Sequence, residues 1–82
     1  MEGQARAVME NLKRGLEAAG ASFSDVIVCD RFLTDMDQQD DLNKVWNEYF
    51  TEHSPASTTV QIVQLATDPR CLIEVNAIAV ID

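Results

Sequence analysis

Residues 72–81 read LIEVNAIAVI, and the fold turns on this stretch. Ile73, Val75, Ala77, Ala79 and Ile81 alternate with Leu72, Glu74, Asn76, Ile78 and Val80, the period-2 pattern of a β-strand. Only Glu74 and Asn76 interrupt the second set, so the pattern predicts a strand buried on both sides. Residues 25–34, DVIVCDRFLT, make a second strand of this kind, rich in β-branched and aromatic residues. Its two polar interruptions, Asp30 and Arg31, point to opposite faces.

Near the N-terminus, Ala5, Val8, Leu12, Leu16 and Ala19 recur at steps of three and four and predict an amphipathic helix over residues 4–19. Gly20 is placed to end it in the left-handed conformation, while Gly15 inside it costs about 1 kcal/mol relative to alanine. Residues 35–39 form a polar turn. Leu42, Val45, Trp46, Tyr49 and Phe50 give the stripe of a second helix over residues 41–52, with Asp40 as its cap. His53, Ser54 and Pro55 stop that helix, and His53 reads as a C-terminal cap rather than a base. Residues 58–65, TTVQIVQL, read as a further strand, and Asp68-Pro69 marks the turn into the last one. Helix, strand, helix, strand, strand implies one two-layer α+β domain over residues 1–82, with both helices on one face of the sheet. The other face is also apolar, and covering it requires another subunit.

Length and composition agree. A chain of 82 residues with 46% hydrophobic and 24% charged content is an ordinary globular sequence, too short to bury all its apolar surface alone. Six Lys/Arg against fourteen Asp/Glu give a formal charge of -8, which opposes nucleic-acid backbones and anionic membranes. The apolar run at residues 77–81 is far too short to span a bilayer. Cys29 and Cys71 lie in apolar strand-like stretches and read as small hydrophobes, not a disulfide framework. The first residues lack a basic start and an apolar run, so the expected compartment is cytoplasmic. The acidic run from Asp35 to Asp41 fails as a calcium loop: the places that need glycine and glutamate hold Asp40 and Trp46. A His/Cys metal set, a glycine-rich phosphate loop and a nucleophile elbow are likewise missing, so no metal or cofactor is expected.

Several phrases, in order, resemble the RidA/YjgF family. They are Gln4-Ala5-Arg6, Glu10-Asn11-Leu12, Glu17-Ala18-Ala19-Gly20, Phe32-Leu33-Thr34-Asp35-Met36, Trp46-Asn47-Glu48-Tyr49-Phe50, Glu52-His53, Pro55-Ala56 and the closing Ile73 to Val80. The resemblance implies a chorismate-mutase-like α+β fold whose open sheet face packs around a three-fold axis. It further implies a homotrimer with clefts between subunits that take small organic acids or imines. The family's founding activity is hydrolysis of reactive enamines and imines to 2-keto acids and ammonia; other members are described as translation inhibitors or endoribonucleases. The acidic surface speaks against the last of these.

Two departures qualify the resemblance. The family domain begins with an N-terminal hairpin region, whereas this chain starts at the first helix and covers roughly the last two thirds of the domain. The family phrase Pro-Ala-Arg-Ser/Thr reads here Pro55-Ala56-Ser57-Thr58, so Ser57 stands in the arginine's place. Thr59 follows where the family often has a thiol, and the family's cleft glutamate maps onto Glu74. Ser57, Thr58, Thr59 and Glu74 are therefore the expected ligand-binding residues, with Glu74 the candidate catalytic group. Imine hydrolysis needs a guanidinium to hold the substrate carboxylate in two bonds and a carboxyl group to move protons. Glu74 suits the second role, but a hydroxyl at Ser57 offers one donor and no charge. The expectation is a small-metabolite-binding or regulatory member that has lost the deaminase. The alternatives are an imine deaminase using another cation, Arg31 or Arg70, and a structural fragment.

Overall fold

A computed structural model of the chain describes residues 1–66 and 70–81. Helix α1 spans Glu2–Ala18 and buries Ala5, Met9 and Leu16. Met9 lies outside the expected stripe yet is fully buried, while Ala19 is exposed. Gly20 has φ 79°, and its N–H donates to Glu17 O while that of Ala21 donates to Leu16 O at 2.8 Å. These two crossed bonds satisfy the last carbonyls of the helix and need the left-handed residue that glycine supplies. Gly15 is not there for close packing, since an added Cβ would meet nothing within 4 Å.

Strand β1 spans Val26–Leu33, helix α2 Gln39–Tyr49, strand β2 Ala56–Gln61 and strand β3 Ile73–Ala79. The sheet order is β2-β1-β3, with β1 parallel to β2 and antiparallel to β3. A parallel pair needs a crossover, and α2 supplies it between β1 and β2. The sheet is mixed and the two helices pack against it, so the α+β architecture stands as expected. Ile27 is an extra residue in β1 against β3; the bulge lets both Val26 and Cys29 face the helices. Val26, Cys29, Leu33 and Ile73 meet Ala5, Met9, Leu16, Leu42, Val45 and Trp46 in one core.

Several boundaries move. The second helix starts at Gln39 and stops at Tyr49, so Asp40 sits in its first turn and Gln38 occupies the cap position. Asp35 is the residue that caps: its carboxylate accepts from Asp37 N at 2.9 Å and opens a single helical turn at Met36–Gln38. Strand β2 begins at Ala56 and ends at Gln61, short of the expected Leu65. Its last ladder bond runs from Ile62 N to Leu33 O at 2.8 Å, where β1 itself ends; Leu65 lies beyond the strand and is buried. The turn expected at Asp68-Pro69 lies outside the described residues.

The sheet face away from the helices carries Ile78 at 59% and Val80 at 56% exposure, beside half-buried Val28 and Phe32.

Candidate functional site

Strand parity sorts the expected site residues. Ser57 pairs with Cys29 and Thr59 with Arg31, so both share the helix-facing side of the sheet. Thr58 pairs with Asp30, and Glu74 pairs with Phe32, so these two share the open side. Because successive side chains alternate, this register holds Ser57 and Glu74 on opposite sides of the sheet within one chain. Glu74 is exposed and makes no hydrogen bond or ion pair among the described residues. Ser57 and Thr58 are exposed as well.

Arg31 is the group that the structure places beside Ser57 and Thr59. It is 5% exposed, the one charged side chain in the core among the described residues. Its Nε donates to Thr59 Oγ1 at 2.8 Å and its Nη1 to Asn43 Oδ1 at 2.8 Å. The guanidinium carbon lies 5.0 Å from the centre of the Trp46 ring, within cation–π range. All three partners are neutral, and burial lowers the Arg31 pKa from its ordinary value. Sequence reasoning raised Arg31 only as an alternative cation and missed Asn43. The available signal was a guanidinium on the helix-facing side of a strand, which must find acceptors on the helix above it.

The other alternative cation sits elsewhere. Gln4 Nε2 donates to the Arg70 carbonyl at 3.0 Å, and Leu72 N donates to Gln4 Oε1 at 2.8 Å. One α1 side chain thereby pins the entry to β3. His53 does not cap α2: its Nε2 donates to Val26 O at 3.0 Å, behind the start of β1. Phe23 packs on Tyr49 and Phe50 with ring centres 5.5 and 5.0 Å apart. Beside them lies an open concavity of about 240 Å³ whose lining includes Ser22, Thr51, Glu52 and His53 but none of the expected site residues. The Tyr49 hydroxyl donates to the Glu10 carboxylate, which raises the phenol's pKa.

Comparison with known proteins agrees with this architecture. The family described as endoribonuclease L-PSP matches residues 1–81. A RutC family protein of Pyrococcus horikoshii is 46% identical over 76 residues, covering 93% of this chain and 59% of the relative. TdcF of Escherichia coli, a reactive intermediate deaminase by name, is 37% identical over 81 residues, covering 98% and 63%. Among solved structures, RidA from an Antarctic Psychrobacter superposes with a TM-score of 0.91 at 34% identity, over 99% of this chain and 64% of that one. The crystal structure of E. coli TdcF with bound serine gives a TM-score of 0.89 at 36% identity, over 99% and 65%. The chain belongs to the endoribonuclease L-PSP family, which is the RidA/YjgF family. It spans about six tenths of the length of the curated relatives it matches.

Proposed function

We propose that the protein binds a small organic acid, an imine or a related metabolite in a cleft between subunits of a homotrimer, and that it has lost arginine-dependent deamination. One observation carries this reading: Ser57, an exposed hydroxyl, stands where the family phrase has its arginine. A hydroxyl cannot hold a carboxylate in two charged bonds, so position 57 no longer orients an imino acid for attack by water as the family's arginine would. TdcF, whose crystal structure contains serine, supports the ligand class, since serine carries a carboxylate.

A second reading is an imine deaminase that takes its cation from a position other than 57. The name of TdcF and the burial of Arg31 against Thr59 favour it. An ammonia-release assay with 2-imino acids generated in situ separates the two. The first reading expects release no faster than buffer; release abolished by Glu74→Ala would replace it with the second.

A further inference from the structure

The Arg31 guanidinium is buried and charged, and its hydrogen bonds go to two neutral oxygens. A buried cation normally has an anion beside it, because removing its hydration without compensation is costly. None of the described carboxylates fills that role: the ion pairs in this part of the molecule join Arg6 to Glu48 and Lys44 to Glu2. A guanidinium has five N–H donors. Nε and Nη1 each use one here, leaving the rest of the planar fork uncommitted among the described residues.

The surroundings hold that fork in place. The Trp46 face packs against it, and Thr59 and Asn43 fix it from β2 and α2. Thr59 and Asn43 are half-buried and Ser57 is exposed, so a polar rim lies between the guanidinium and solvent. Ser57 shares the helix-facing side of the sheet with Arg31, two residues along β2 from the register partner Thr59.

We infer that Arg31 is the anion-recognition group of this protein: it holds the carboxylate of a small monocarboxylate ligand, with the Ser57 hydroxyl as an added donor. The assignment deepens the binding reading above and rests on it. A guanidinium matches a carboxylate in two parallel bonds, and the buried setting strengthens them. The chain's formal charge of -8 selects against dianions, so inorganic phosphate is a poor ligand. The cation is delivered from the central strand instead of the edge strand, two pairing positions from Ser57.

Calorimetric titration of the 82-residue chain with 2-oxobutanoate, its neutral amide 2-oxobutanamide and inorganic phosphate, at matched ionic strength, tests this. The wild type should bind the acid at least tenfold more tightly than the amide and should not bind phosphate. Arg31→Gln should erase the preference while amide binding persists, and Ser57→Ala should reduce it a few-fold. Arg31→Lys, which keeps the charge but not the fork, should retain part of it. The ligand-induced rise in thermal midpoint supplies the same comparison if Arg31→Gln is less stable, because each variant is measured against its own ligand-free state. Equal binding of acid and amide by the wild type overturns the Arg31 assignment and leaves small-molecule binding standing. Binding of neither overturns both. An acid preference surviving in folded Arg31→Gln, or tight phosphate binding, overturns the assignment alone.

Discussion

Ser57 and Glu74 face opposite sides of the sheet, Ser57 through its pairing with Cys29 and Glu74 through its pairing with Phe32. The central strand alone lies between their strands, yet the pleat points one toward the helices and the other toward the open face. For both to act on one ligand, they must come from different copies of the chain. A shared site therefore depends on assembly, and any test of the site is also a test of association.

Ile78 and Val80 expose more than half their surface on the open face, which is more apolar area than an isolated strand comfortably leaves in water. Light scattering should give a mass near three chains in dilute buffer. Ile78→Asp should shift it to one chain without unfolding, because Ile78 contributes little to its own chain's core. A monomeric wild type would leave Ser57 and Glu74 permanently apart.

Ser57→Arg should place a second guanidinium on the helix-facing side, where Arg31 already lies. A charged two-point hydrogen bond contributes about 1.5–3 kcal/mol, so 2-oxobutanoate should bind roughly ten- to a hundredfold more tightly. Turnover of 2-iminobutanoate should rise from the buffer rate only after affinity does. Unchanged affinity would mean that position 57 does not face the ligand.

Burial pushes the Cys29 thiol up to about 11. The folded chain then holds that proton more tightly than the unfolded one, whose thiol titrates near roughly 8.5. This stabilisation is complete below the unfolded value and is lost as pH rises through about 11. The urea midpoint of the wild type should fall more steeply over that range than that of Cys29→Ala. Parallel slopes would show that the thiol ionises as freely in the folded state.

Gly20 and Gly15 should respond to alanine with opposite signs. Neither would meet an atom within 4 Å, so packing drops out of both comparisons. Gly20→Ala forces a side chain into φ 79° and should cost about 1 kcal/mol. Gly15→Ala removes a glycine from a helix interior and should stabilise by roughly 0.5–1 kcal/mol. Urea denaturation of the two variants reads both values. A stabilised Gly20→Ala would contradict the helix ending described above.

Much of this protein was legible from side-chain periodicity. The alternation from Leu72 to Ile81 identifies the last strand and its two faces, the steps from Ala5 to Leu16 identify α1, and Gly20 marks where it ends. Each of these signals is local, and local backbone geometry repeats every 2 or 3.6 residues whatever lies far along the chain. Element ends were less legible. β2 stops at Gln61 because β1 has no more backbone to pair with it, and that limit is written in another part of the sequence. The site was the least legible. The sequence names Ser57, Thr59, Glu74 and Arg31 but not who stands beside whom. Only the parallel register of β1 on β2 sets Arg31 against Thr59, and only the crossover of α2 brings Asn43 and Trp46 over it. Periodicity fixes which way a side chain points relative to its own backbone; which neighbour it then meets depends on strand order and register, and those are decided when distant segments pack.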